Sequence, residues 1–241
     1  MKEGMKHSEI GLIPKEWNTL KFGELFEIVK SHSFSRNKLT SEETATKIQN
    51  IHYGDIHSKF TNHHLDFEMV SVPYIIDEFL TAAHNQFLKD GDILIADVSE
   101  DLIDIGKCIE LKNIGNRKVI GGLHSIVARD KSKKIEKGFG AYIFKHHEVM
   151  KELRSIATGM SVYGISKGNL NKLFIPVPPL PEQRKIAYIL STVQKAIEQQ
   201  DKLIRHTTEL KKALMQKLFT VGITDYDDDT EHTDKKQKKS V

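Results

Sequence analysis

The sequence contains a single cysteine, Cys108, among 241 residues. One thiol excludes an internal disulfide and any zinc site built on several cysteines. No apolar run approaches the ~20 residues that a bilayer-spanning helix needs, and Met1–Glu9 lacks the apolar core of a secretory signal. The expectation is a soluble, cytoplasmic protein. Glycine-rich phosphate loops of the Walker type are also missing. So is the Asn/Asp-Pro-Pro-aromatic motif used for methyl transfer to a base amino group, since the only Pro-Pro pair, Pro178–Pro179, follows Val177. No internal repeat is found. The expectation from these gaps is a non-catalytic chain with no cofactor and no metal of its own.

What is present is enough to fold. At 39% hydrophobic residues the chain can bury a core. Residues 1–175 read as mixed α and β. Trp17–Val29 is spaced as a helix near its end, through Leu20, Phe22, Leu25, Phe26 and Val29. "DGDILIADV", Asp90–Val98, reads as a turn and a buried strand, and "GKCIELK", Gly106–Lys112, as its partner. "KVIGGLHSIVARD", Lys118–Asp130, is a strand with a bend at Gly121–Gly122. Ala141–Ala157 is a helix, and Leu173–Pro178 a last strand.

Proline is scarce, six residues in all, yet Pro176, Pro178, Pro179 and Pro181 fall within one short stretch. They end the strand, because proline cannot donate to a ladder, and Pro181 suits the first turn of a helix. That helix runs over 181–219, with Gly222 as its stop. Its inward positions follow a 3-4 spacing through Ile186, Leu190, Val193, Ile197, Gln200, Ile204, Thr207, Lys211, Leu214 and Leu218, a coiled-coil seam weakened in its second half. At 1.5 Å per residue it is roughly 57 Å long. Such a stripe calls for a partner helix, so Ile186, Leu190, Val193, Ile197, Ile204, Leu214 and Leu218 are the candidate dimerisation residues. Charge divides the same way. Residues 1–180 hold 24 Lys/Arg and 23 Asp/Glu, residues 181–219 hold 8 and 4, and residues 220–241 hold 4 and 6. The fold class is α+β: a globular mixed α/β part over 1–180, a long helix over 181–222, and a tail over 223–241 with a disordered composition.

"ISKGNLNKLFIPVPPLPEQRKIAYIL", Ile165–Leu190, resembles the end of a target-recognition domain in the specificity subunits of type I restriction-modification enzymes. "GLIPKEW" (Gly11–Trp17), "IQNIHYGDI" (Ile48–Ile56) and "KDGDILIADVSE" (Lys89–Glu100) resemble further segments of the same domain. The resemblance implies a sequence-specific DNA-binding subunit that directs an adenine methyltransferase subunit, which carries S-adenosylmethionine, and leaves room for a motor-nuclease subunit. There are two departures. The loop "IVKSHSFSRN" has no glycine, and the chain shows one recognition domain and one helical region where the family's usual subunit has two of each. The implied form is a half-size subunit, paired with itself or with another half-subunit, reading an interrupted palindrome.

Three polar segments are the candidate DNA contacts: Ser33, Arg36, Asn37 and Lys38; Tyr53, Lys59, Asn62 and His63; and Tyr163, Ser166, Lys167 and Asn169. Their side chains can bond phosphates or base edges, and the glycines of 159–169 let a backbone approach a phosphate. Ordinary surface loops are the bland alternative. His52, His57, His63 and His64 match no common metal-ligand spacing, and neighbouring His63 and His64 would point apart in a strand. The rival enzyme reading is a Mg²⁺-dependent restriction endonuclease using Asp97, Glu110 and Lys112. A coiled-coil adaptor without a DNA role is the third reading.

Overall fold

The computed structural model describes residues 4–60, 62–79 and 86–222. The tail over 223–241 lies outside them. A five-stranded mixed sheet forms the centre, in the order Phe26–Val29, Ser125–Asp130, Ile93–Ala96, Cys108–Lys112, His64–Asp66. The Asp90–Val98 run pairs antiparallel with Cys108–Lys112, with Ile93 opposite Glu110 and Ile95 opposite Cys108. Side chains alternate across the sheet. Ile93, Ile95, Cys108, Ile126 and Ala128 face one apolar cluster, while Leu94, Ala96, Ile109, Leu111 and Val127 face another. A strand covered on both faces has no polar side, which is why "ILIA" is unbroken. The Cys108 thiol is sealed in the first cluster, its Sγ 3.5 Å from the carbonyl of Ala141, and burial pushes it up to about 12.

A second sheet runs Lys118–Gly121, Ile48–Ile51, Tyr74–Ile75, Leu39–Thr40. The single strand expected over Lys118–Asp130 is therefore two strands in different sheets. At the bend a Cβ on Gly121 would lie 2.5 Å from Val127, and one on Gly122 2.6 Å from the carbonyl of Ile51. Only paired glycines let the chain cross there.

Two other expectations change. Trp17–Val29 is not one helix but a strand, Asn18–Lys21, a single turn, Phe22–Leu25, and the edge strand Phe26–Val29. Phe22, Leu25, Phe26 and Val29 are buried and Leu20 partly so, but Phe26–Val29 gains a full ladder with Ser125–Asp130, and tertiary pairing overrides the local period. Ala141–Ala157 is split into Gly140–Ile143 and His147–Ile156. All of Gly140–Ile143 is buried, so it cannot lie on the one-faced cylinder of Val149 and Leu153.

The final helix spans Leu180–Val221. The chain divides into a compact unit up to Ile189 and a second from Leu190. Within the first, Gln183 is fully buried. Its amide donates to the carbonyls of Lys134 and Pro178, each at 2.8 Å, and accepts from the Glu136 N–H at 2.8 Å. Trp17 Nε1 donates to Glu182 at 2.9 Å, and Arg184 pairs with Glu136. Ile186 packs against the core. In the second unit the apolar stripe is open to solvent: Leu190 is 40% exposed, Val193 53% and Ile204 61%.

Glu110 is the one acid buried beneath the Gly140–Ile143 turn. It accepts from the Gly138 N–H and, at 3.2 Å, from that of Ala141. Burial outweighs those bonds and pushes the carboxyl from 4.5 up to about 7. A raised folded value means stability that is complete below the unfolded value of 4.5 and is lost as pH rises through 7, on the order of 3 kcal/mol. We expect Glu110→Gln to gain on the wild-type chain by about 1–3 kcal/mol between pH 5 and pH 8 in denaturant unfolding. Parallel pH curves for the two proteins would contradict this assignment.

Candidate nucleic-acid interface

The strand Ile48–Ile51 ends at His52, which caps the short helix Tyr53–Ser58 by accepting the Gly54 N–H on Nδ1 at 3.1 Å. The opening turn of that helix places Asp55 inward, with a side chain 1% exposed. Arg36 and Lys59 both reach its Oδ1, each at 3.1 Å. The Tyr53 ring lies 4.6 Å from His52 and 5.3 Å from His124. His57 bonds the carbonyl of Val98 at 3.0 Å, so Nε2 carries the proton and donates. Lys107 donates to the carbonyl of His57 at 2.9 Å.

Val98 joins this patch to the third polar segment. Val98–Ser99 pairs with Tyr163–Gly164, and the Ile165 N–H donates to the carbonyl of Asp97 at 2.8 Å. The Asp97 carboxyl stands 3.4 Å from His124 Nδ1. Burial raises its pKa, while His124 and the charge of Lys167 oppose the rise. Thus Arg36, Tyr53 and Lys59 connect through His57 and Val98 to Tyr163–Lys167. Burial, and then the charge of Arg36, keep His52 below its ordinary value, favouring the neutral ring.

The other candidates sit as follows. Ser33 is exposed, Asn37 accepts from Ser35 Oγ at 2.6 Å, and Lys38 lies over the Phe79 ring at 5.3 Å. Tyr163 packs partly into the core. Ser166 caps Lys167–Lys172 by accepting the Asn169 N–H, and the Asn169 amide reaches the carbonyl of Ile156 at 3.5 Å. Lys167 is exposed and Asn62 half-buried. The expectation that His63 and His64 diverge is corrected: both rings meet Tyr142, at 5.2 and 5.3 Å. The strand begins only at His64, so strict alternation does not apply to His63. Burial, then the charges of Lys145, His64 and Lys107, lower His63 to about 4.

Sequence reading missed His124 and Asp55 as parts of this patch. His124 follows the Gly121–Gly122 bend, and Asp55 follows Gly54; a glycine before a polar residue was the available signal. The Asp97, Glu110 and Lys112 set is not assembled. Glu110 lies opposite Ile93, four residues from Asp97 and roughly 13 Å along a strand, and its oxygens are occupied by backbone amides. Among the described residues no group of three His, Cys, Asp or Glu side chains is placed to hold a metal ion.

Comparison with known proteins gives a consistent picture. The profile of the type I restriction modification DNA specificity domain matches residues 14–205. The type I restriction enzyme MjaVIII specificity subunit of Methanocaldococcus jannaschii is 29% identical over 224 residues, 90% of this chain and 49% of that protein. The chain spans about half the length of the curated relatives it matches. In fold it is similar to the S subunit of a type I restriction-modification system from M. genitalium, with a TM-score of 0.57 at 17% identity over 86% of this chain and 47% of that one. It is also similar to the HsdS subunit from Thermoanaerobacter tengcongensis, with a TM-score of 0.54 at 19% identity over 92% and 49%.

The His63 environment is directly measurable. We expect its imidazole to titrate with a midpoint near 4 by NMR, so that it stays neutral throughout the physiological range. A midpoint of about 6 or above, the ordinary value, would show that its ring is hydrated rather than held against Tyr142.

Proposed function

The chain belongs to the type I restriction modification DNA specificity domain family, and we propose on that premise that it is a sequence-specific DNA-recognition subunit without catalysis of its own. The observation that carries this reading is the convergence of Arg36, Tyr53, Lys59 and the 163–167 segment on one polar patch around Asp97 and Val98. Arginine, lysine and tyrosine on one surface suit contacts to phosphates and base edges. Ser33, Asn37, Lys38, Asn62, His63, Ser166 and Asn169 remain candidate contacts at its margins, several of them held by local bonds already described. Residues 1–180 read the duplex, and residues 181–222 provide pairing and docking.

The exposed stripe of Leu190, Val193, Ile197, Ile204, Leu214 and Leu218 supports pairing of the helix with a second copy or another half-subunit. Two identical chains related by a twofold axis present the same reading surface to opposite strands, so the target is a bipartite palindrome. The helices run antiparallel, which separates the two recognition parts. The DNA methyltransferase subunit, holding S-adenosylmethionine, is the further partner, and a restriction subunit completes the assembly where one exists. The setting is cytoplasmic. Residues 1–180 are nearly neutral, 24 Lys/Arg against 23 Asp/Glu, so the isolated chain lacks the charge that drives tight DNA binding.

Two measurements test this. Changing Leu190 and Ile197 together to Asp puts charges in the seam at a cost of several kcal/mol, and sedimentation should then show a monomer; a persistent dimer would displace the seam. Methylated adenines mapped by single-molecule sequencing, with the partner methyltransferase present, should fall in an interrupted palindrome. An asymmetric motif would require a different half-subunit as mate.

A further inference from the structure

Asp55 has a polar environment that its neighbours do not share. Its side chain is buried, yet neither carboxylate oxygen receives a well-aligned hydrogen bond among the described residues. Its ion pairs among the described residues are with Arg36 and Lys59, both on one oxygen. A buried acid held only by ion pairs adds little net stability, because desolvation offsets the attraction. What it does fix is where the two cations stand. Their side chains are 51% and 59% exposed, while the acid between them is sealed from solvent. An approaching phosphate therefore meets the two cations and not the anion.

Gly54 makes the arrangement possible. A Cβ there would lie 2.8 Å from Arg36 Nη2, in the space the guanidinium crosses to reach Asp55. The same Cβ would stand 3.3 Å from His52 Nδ1, a separation that a small ring shift relieves. An alanine at this position thus displaces the flexible end of Arg36 and asks the His52 ring to give by a few tenths of an ångström.

We propose that Asp55 is a positioning residue for DNA reading: through the gap left by Gly54 it holds Arg36 and Lys59 on one oxygen, in a fixed geometry toward the duplex. The inference rests on the reading above that this patch binds DNA. A guanidinium held through one hydrogen of Nη2 keeps that nitrogen's second hydrogen and a neighbouring N–H beside it, which suits the forked contact to a guanine edge. The Lys59 ammonium is a point charge for a neighbouring phosphate. Arg36 then carries sequence preference, and Asp55 sets its direction without touching the nucleic acid.

The test uses the full chain and a pool of duplexes with a randomised centre, selected at about 50 mM salt, where weak binding is retained. The wild-type chain should enrich one motif. Asp55→Asn removes an anion, so it should bind the unselected pool several-fold more tightly, while its preference for the wild-type motif falls about tenfold or more. A merely damaged fold would lower both. Gly54→Ala keeps the net charge and the only close atoms its Cβ meets are side-chain ends, so its thermal midpoint, measured alongside, should stay near that of the wild type, yet it should show the same loss of preference. Undiminished preference in folded Gly54→Ala overturns the proposal, whatever Asp55→Asn does. If the wild-type chain enriches no motif, either alone or with the partner methyltransferase subunit added, the DNA reading itself fails.

Discussion

The chain changes sheets at Gly121–Gly122, and the polar patch exists because it does so. Neither position can carry a side chain without meeting Val127 or the carbonyl of Ile51. The crossing lets Lys118–Gly121 run parallel to Ile48–Ile51 while Ser125–Asp130 enters the central sheet. It also delivers His124 beside Tyr53 and Asp97. The Asp97 N–H donates to the carbonyl of His124 at 3.2 Å, so the two sheets meet at the residues that form the patch. A side chain at Gly122 would press on Asn50 and on the carbonyl of Ile51, at the end of the strand that leads into His52 and Tyr53.

The sequence made the covered strands and the final helix legible, for physical reasons that can be named. "ILIA" is apolar on both faces and bounded by turn residues, and its partner strand was evident. The proline cluster marked where a strand stops and a helix starts. What could not be read was long-range. Phe22–Val29 has helical spacing, and only the ladder with Ser125–Asp130 decides otherwise. The Arg36–Asp55–Lys59 cluster joins residues up to 23 positions apart (36 to 59), and nothing local marks Asp55 as buried. Of the chosen polar residues, Arg36 and Lys59 sit at the patch as exposed cations tied to one acid. Ser166 and Tyr163 do structural work in capping and packing.

Polar anchoring at the start of the final helix follows the same logic as the sheet crossing. Gln183 satisfies three backbone groups with one side chain, two carbonyls and one N–H. A buried amide that is fully paired is specific, because any shift in register leaves several groups unpaired. An apolar residue could fill the same space, but it would not select one orientation for the loop over 131–137. The Trp17–Glu182 and Arg184–Glu136 bonds fasten the residues on either side. The apolar stripe beyond Ile189 is by contrast free of any such constraint.

Cys108 gives the molecule an unusual experimental property. Its thiol is the only one in 241 residues. It is fully enclosed by the core, with its pKa pushed up to about 12, so almost no thiolate forms at neutral pH and alkylating dyes do not reach it. The natural chain therefore behaves chemically as a cysteine-free background. A cysteine introduced on any exposed position of the helix becomes the sole reactive site, and spin or fluorescence labels can be placed there without first altering the core.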